Sequence, residues 1–87
     1  MNEGLVRKVG REAKRAGLFL LYHDVDGRWE FLSGTSGKSI LSWWQKSGTW
    51  ISGKKRGKSR SPFGAMQAAI REDRYLTEKS KRSNDGT

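Results

Sequence analysis

The segment that most constrains what this chain can fold into is residues 40–60, which read ILSWWQKSGTWISGKKRGKSR. It holds three of the four tryptophans, followed by five basic residues within seven positions. β-Branched and aromatic residues on both sides of the turn-forming sequence Lys46-Ser47-Gly48 predict a β-hairpin in its first half. The second half predicts a loop, because five cations and a glycine offer no apolar surface to pack.

The cations of this loop and the neighbouring aromatic strands indicate a ligand that is both negatively charged and flat-faced. Nucleic acid has both properties, since its phosphates attract Lys and Arg and its bases stack on aromatic rings. The predicted phosphate-binding residues of the loop are Lys54, Lys55, Arg56, Lys58 and Arg60.

The distribution of charge supports the same interpretation. The formal net charge of +9 comes from 18 Lys and Arg against 9 Asp and Glu. Residues 1–17 carry +3, residues 18–53 are neutral, residues 54–60 carry +5 and residues 61–87 carry +1. A neutral centre flanked by basic segments is typical of an electrostatic nucleic-acid binder. The alternative is that positive charge only keeps a small protein soluble, which does not require five cations in seven residues.

Length and composition limit the class of protein. Eighty-seven residues, a third of them hydrophobic, predict one small domain with a small, aromatic-rich core. The absence of cysteine excludes disulfides and thiolate metal sites. No apolar run approaches the ~18 residues of a membrane span, and no signal-peptide pattern opens the chain. We therefore expect a cytoplasmic protein without a membrane partner.

An amphipathic helix is predicted near the N-terminus. Leu5, Val9, Ala13 and Ala16 recur at helical spacing, and Gly17 is suited to end the helix. Its basic side chains would either lie along phosphates or form a solvated face. They are Arg7, Lys8, Arg11, Lys14 and Arg15.

The middle of the chain predicts short antiparallel strands. Asp26-Gly27 is a strong hairpin signal between residues 18–25 and residues 28–33. In the second of these strands Trp29 and Phe31 share one face, and Glu30 and Leu32 share the other.

The next hairpin has the same alternation. Leu41 and Trp43 fall on one face, and Ile40, Ser42 and Trp44 fall on the other. Aromatic rings are therefore expected on both faces of the sheet. Residues 36–47 also fit a helical stripe, so a helix is the alternative there, but the neighbouring Ser-Gly-Thr-Trp sequence favours a strand.

A second helix is predicted after the basic loop. Ser61 and Pro62 suit the N-cap and the first helical position, and Phe63, Met66 and Ile70 begin a buried stripe. Residues 77–87 are polar and are predicted to be a disordered tail after a single compact domain of residues 1–76. The expected fold is α+β: a small antiparallel sheet of three to four strands, packed by the C-terminal helix and the basic N-terminal helix.

The chain has no strong catalytic motif. Gly37-Lys38-Ser39 resembles the end of a phosphate-binding loop, but the required earlier glycine is Leu32. His23 is the only histidine, which excludes a His-pair metal site. The acidic residues around the first hairpin are too few to favour a nuclease Mg²⁺ site over a tight turn. We therefore expect no catalytic residues, no metal and no cofactor, and we do not predict an enzyme.

The predicted strands followed by an alanine-rich helix resemble the sheet-plus-helix DNA-binding domains of AP2 proteins and of the arm-binding type found in phage integrases. The residues that carry this likeness, within residues 28–73, are Trp43, Trp50, Gly57, Phe63, Ala65, Ala68 and Ala69. Those families usually place basic residues on the strands, whereas here most are in the predicted loop. The hairpin WWQKSGTW is also similar to hairpins in small phage-encoded accessory proteins. Both resemblances imply a compact binding module rather than an enzyme, and the likeness to phage proteins implies a phage origin.

Two functions therefore follow from the sequence. The first is nucleic-acid binding, to DNA or RNA, with phosphates on the basic loop and helix and with Trp44, or Trp43 and Trp50, stacking on bases if the target is single-stranded. On a duplex the sheet would enter a groove. The alternative is a phage-type inhibitor that binds a host protein, either a defence factor or a nucleic-acid enzyme, because exposed Trp and Arg are common interface anchors. The oligomeric state is left open.

Overall fold

Short apolar segments separated by glycine-containing turns fold the middle of the chain into an antiparallel meander. The structure, a computed structural model, describes residues 3–85, with side chains described for residues 3–79. Within these residues the order of elements is α1 (Glu3–Arg15), β1 (Leu18–His23), β2 (Arg28–Ser33), β3 (Ser39–Trp44), β4 (Thr49–Ser52), β5 (Lys55–Lys58) and α2 (Pro62–Asp85). The strands form one antiparallel sheet in the order β1-β2-β3-β4-β5. The predicted α+β class is confirmed.

The number of strands was predicted wrongly. The described residues form five strands rather than three to four, because the segment expected to be a basic loop contains β5. β5 pairs with β4 from Ser52↔Lys55 to Thr49↔Lys58. An edge strand needs backbone partners on one side only, and its charged side chains stay in water, so β5 requires little buried surface.

The two faces of the sheet differ, because the helices pack on the same face. This covered face carries Trp29, Phe31, Leu41 and Trp43, all buried, against Val9 and Ala13 of α1 and the alanines of α2. The Trp29 ring packs edge to face with the Tyr22 ring, at a centroid distance of 5.2 Å, and with the Trp43 ring, at a centroid distance of 6.0 Å. Alternate residues point to the opposite side, which we call the open face.

β3 confirms the strand interpretation of residues 39–44 over the helical one. A register shift between Phe31 and Leu32 places an irregularity opposite the start of β3. Ile40 and Leu41 are therefore both buried, although adjacent strand residues ordinarily point to opposite faces. Ile40 was expected beside Ser42 and Trp44, and it lies in the core instead.

The helix boundaries follow local capping. α1 ends before Gly17, which adopts a φ of 83°, a conformation that favours glycine. At the start of α2 the Ser61 hydroxyl accepts a hydrogen bond from the Gly64 N–H at 3.3 Å, as the predicted N-cap requires. Ala65, Ala68 and Ala69 are buried against the sheet.

α2 continues beyond the expected domain boundary. It runs to Asp85, whereas residues 77–87 were predicted to be a disordered tail; residues 86–87 lie outside the described residues. Each added residue in an existing helix brings a hydrogen bond without needing a buried face, and Thr77 Oγ1 also donates to the Asp73 carbonyl at 2.9 Å. In the described part of the chain, neither helix has the length and apolarity needed to cross a membrane.

Candidate nucleic-acid interface

The alternation of β5 divides its cations between the two faces of the sheet. Arg56 pairs with Ile51 and Lys58 with Thr49, so both side chains lie on the open face. Lys54 is exposed in the preceding turn, and Arg60 is exposed after the strand. These four residues therefore lie along one edge of the open face and around its two ends.

Lys55 is directed to the covered face, where α2 neutralises it. Its pairing with buried Ser52 fixes that orientation. Lys55 Nζ lies 3.1 Å from Glu72 Oε2 and 4.6 Å from the centroid of the Tyr75 ring. An ion pair and a cation–π contact hold this ammonium group on α2, so Lys55 stabilises the position of β5 rather than adding to the open-face charge.

Strand register aligns the open-face residues in three rows that cross the sheet. The first row, from β1 to β5, is His23, Arg28, Trp44, Thr49 and Lys58. The second row is Leu21, Glu30, Ser42, Ile51 and Arg56. The third row is Phe19, Leu32 and Ser39. The open face thus has an apolar corner on β1 and a basic edge on β5, with Trp44 in the middle strand.

Of the three candidate tryptophans, Trp44 lies on the open face. It is half-buried between Arg28 and Thr49 of the neighbouring strands. Trp43 is 3% exposed, and its Nε1 donates to the Ser59 carbonyl at 3.1 Å, so it is positioned as a core residue. Trp50 lies on the covered side, half-buried, with its ring over Gly57. Stacking on a base at the open face is therefore available to Trp44 but not to Trp43.

A network of hydrogen bonds and ion pairs centred on Glu30 lies on the open face across β1, β2 and β3. Glu30 Oε1 lies 2.9 Å from His23 Nε2 and 3.5 Å from Arg28 Nη1, and Arg28 Nη1 also donates to Ser42 Oγ at 3.2 Å. The hydrogen bond with His23, followed by that with Ser39, lowers the pKa of the Glu30 carboxyl below its ordinary value. Glu30 therefore remains an anion that orients His23 and Arg28, and it takes up part of the positive charge of Arg28.

A concavity at one end of the sheet adds Lys46, a cation that was not predicted to belong to the site. Lys46, Lys58 and Arg60 line a space of about 480 Å³ between the β3–β4 turn and the segment after β5. The Ser59 N–H donates to the Gly48 carbonyl at 2.7 Å and joins these two segments. Lys46 is part of a turn sequence, and only the pairing of β4 with β5 brings it beside Lys58 and Arg60.

The basic residues of α1 are not brought together with those of β5. α1 packs beside β1 and α2 on the covered face, and β5 is the opposite edge of the sheet from β1. Lys8 Nζ lies 5.9 Å from the Phe63 ring centroid, and Arg15 pairs with Glu12 at 3.4 Å. The cations of α1, predicted together with the basic loop as phosphate contacts, therefore lie apart from the β5 cations. They are Arg7, Lys8, Arg11, Lys14 and Arg15.

The remaining titratable groups do not form a metal centre within the described residues. His23 is hydrogen-bonded to Glu30, and Asp26 Oδ2 lies 3.6 Å from Arg28 Nε. Among residues 3–85 no group of three or more His, Cys, Asp or Glu side chains is close enough to hold a metal ion. Arg28 and the exposed apolar residues of β1 were not predicted to belong to this face, because their placement depends on the face that the helices cover.

Comparisons with known proteins return no relative. No family model matches the chain, and neither a curated protein nor a solved structure matches it. Function is therefore inferred from the geometry and charge of the open face.

Proposed function

We propose that the protein binds single-stranded nucleic acid across the open face of its sheet. The observation that carries this proposal is the shared face of Trp44, Arg56 and Lys58, which strand register places in two adjacent rows. An aromatic ring for bases beside cations for phosphates is the arrangement that single-strand binders use.

The electrostatic part of the proposal depends on cations that are free to pair with phosphates. Among the described side chains, Lys54, Arg56, Lys58 and Arg60 form no ion pair with a carboxylate, in contrast to Lys55. Lys46 has no carboxylate partner among the described side chains either, and it lies beside Lys58 and Arg60. Each phosphate that these residues neutralise releases condensed counterions, which favours binding at low salt.

Trp44 supplies the aromatic part. Its ring lies on the middle strand, two strands from Lys58 in the same row. With neighbouring strands about 4.8 Å apart, this places the side chains of Trp44 and Lys58 about 10 Å apart where they leave the sheet. A base stacked on Trp44 contributes ~1–3 kcal/mol to binding, with its backbone running toward the basic edge.

The width of the sheet favours a single strand over a duplex. Four strand spacings of about 4.8 Å give a face about 19 Å wide. The major groove of B-DNA is about 12 Å wide and admits a helix or a two-stranded ribbon. A five-stranded face cannot lie flat in that groove, whereas a flexible single strand can follow it.

A titration of the full chain against single-stranded and duplex oligonucleotides, DNA and RNA, tests the proposal. We expect tighter binding to single strands, with log K falling against log salt by about 0.7 per phosphate contacted, or about 2.8 to 3.5 in total for four to five contacts. Binding only to duplex would contradict the single-strand proposal. No salt-dependent binding to any oligonucleotide would contradict nucleic-acid binding itself. That result would favour the protein-binding alternative, for which the exposed Phe19 and Leu21 are suitable anchors.

A further inference from the structure

A second aromatic ring is exposed on the open face, at the corner farthest from β5. Phe19 on β1 pairs with Leu32 on β2 in the third row, and it is 50% exposed. Its neighbours along the strand point the other way, since Leu18 is buried and Leu20 lies against Gly10 of α1. α1 therefore covers β1 from one side only and leaves the Phe19 ring in contact with water.

The surroundings of Phe19 suit an uncharged, flat ligand better than a phosphate. Leu21, also 50% exposed, and half-buried Leu32 are its neighbours on this face. The arginine on this side of the sheet, Arg28, is paired with Glu30 at 3.5 Å. This corner therefore offers an aromatic and aliphatic surface, while the cations without a carboxylate partner lie at the β5 edge.

The rings of Phe19 and Trp44 are too far apart to hold one base between them. Trp44 pairs with Arg28 of β2, and Phe19 pairs with Leu32, four residues further along the same strand. At about 3.4 Å per residue along a strand and about 4.8 Å between strands, the two positions are about 17 Å apart. Consecutive nucleotides of a stacked strand are about 3.4 Å apart, so at most about five steps cover this distance. A single strand about six nucleotides long therefore reaches both rings.

We propose that Phe19 is a second base-stacking residue of the single-strand interface. This inference rests on the proposed function, because it assigns a further contact to the same bound strand. The strand crosses the face diagonally, with phosphates on Arg56 and Lys58 at the β5 edge, one base on Trp44 and a later base on Phe19. Every base has a π-face, so stacking on a phenyl ring adds affinity with little dependence on sequence.

Continuity with the basic edge identifies the occupant of this corner as a base. The sheet is unbroken from β1 to β5, so a strand held at the β5 edge can extend over the same face to Phe19. The net charge of +9 also favours a polyanion over a second copy of the chain. An apolar side chain of another protein is the competing occupant. It would use Phe19 and Leu21 alike, whereas a base stacks on the ring of Phe19.

Titrations of full-chain variants with a single strand of about ten nucleotides test this contact. Phe19→Leu removes the ring and keeps an apolar side chain. It should bind at least about fivefold more weakly than wild type, which is the lower end of the contribution of one stacked base. Phe19→Trp restores a ring and should bind at least as tightly as wild type. Leu21→Ala is the matched control and should bind like wild type, because Leu21 is equally exposed on the same strand and face but has no ring.

An abasic strand of the same length separates stacking from other effects of the substitution. It carries the same phosphates and no bases, so Phe19→Leu should bind it as tightly as wild type does. With the base-bearing strand the salt slope of Phe19→Leu should equal that of wild type, since Phe19 neutralises no phosphate.

The outcomes distinguish this inference from the proposed function. If Phe19→Leu binds the base-bearing strand as tightly as wild type, Phe19 is not a stacking residue, and the interface of Trp44 and the β5 edge stands without it. Equal weakening by Leu21→Ala would show a general apolar contact and would also overturn the inference. Equal loss with the abasic strand would overturn it as well, because no base is there to stack. If wild type binds no oligonucleotide, the proposed function fails and this inference fails with it.

Discussion

The indole ring of Trp50 on β4 lies directly against the backbone of Gly57 on β5. A side chain at position 57 would collide with the indole, because an added Cβ would lie 2.5 Å from Trp50 Cε2. Glycine is required here by the space that the indole occupies and not by backbone conformation, since the φ of Gly57 is not positive. This contact joins the basic edge strand to the core, so the position of Arg56 and Lys58 depends on it.

Gly57→Ala should therefore destabilise the protein. We expect a loss of about 1–3 kcal/mol in the free energy of unfolding, typical of overpacking at a close contact. Gly4→Ala is the control, because a Cβ at Gly4 meets nothing within 4 Å and alanine has a higher helix propensity than glycine. Urea denaturation of the two variants checks the difference, and equal stability of both would show that Trp50 does not pack on Gly57.

The lowered pKa of Glu30 predicts a specific dependence of stability on pH. A carboxyl whose folded pKa is below its unfolded value stabilises the folded state above that unfolded value, here close to 4.5, and the stabilisation is lost as the pH falls through the lowered pKa. Glu30→Gln should cost about 1–3 kcal/mol at about pH 5. The difference from wild type should shrink steadily in acid. Urea denaturation from about pH 5 downward tests this, and a difference that stays constant would contradict the hydrogen bonding of ionised Glu30.

Adjacent tryptophans on β3 should respond differently to truncation. Trp43→Ala removes a buried ring and should cost about 3–5 kcal/mol of stability. Trp44→Ala should leave the chain folded and weaken single-strand binding by about 1–3 kcal/mol. Thermal melts and oligonucleotide titrations separate the two effects. If Trp44→Ala binds as tightly as wild type, the ring does not stack on a base.

Adjacent cations on β5 should also differ. Lys55→Ser should leave the salt dependence of binding nearly unchanged, because Lys55 is held by Glu72 and Tyr75 on the covered side. Its cost in stability should be under about 1 kcal/mol, as for a partly exposed ion pair. Arg56→Ser should lower the salt slope by about 0.7 for the lost phosphate contact. Equal slopes for the two variants would contradict the assignment of these residues to opposite faces.

The parts of the fold that follow from local chemistry were predictable from the sequence. Helical spacing and capping predicted α1 and the start of α2, and turn sequences together with alternation predicted the strands through β4. β5 was missed because the sequence KRGK has little strand propensity. Its pairing depends on β4 and on the space that Gly57 leaves for Trp50, and both are contacts between separate strands.

The candidate site was only partly predictable for the same reason. Sequence spacing identified the cations of residues 54–60, but strand alternation was needed to assign Lys55 to one face and Arg56 to the other. The α1 cations could not be separated from the β5 cations without the strand order, which puts them at opposite edges. The register shift in β2 opposite Ile40 is likewise a contact between strands. Simple alternation of side chains along β3 therefore predicted the wrong face for Ile40.

The most direct test of the proposed interface compares two double variants that remove the same charge from opposite sides of the molecule. Arg56→Ser with Lys58→Ser removes two open-face cations, and Arg7→Ser with Arg11→Ser removes two α1 cations. Salt titrations with a single-stranded oligonucleotide, from about 50 to about 200 mM, should show a slope lower by about 1.4 for the first variant. The second should stay close to wild type. Equal slopes for the two variants, or the larger loss with the α1 pair, would show that the open face is not the binding surface.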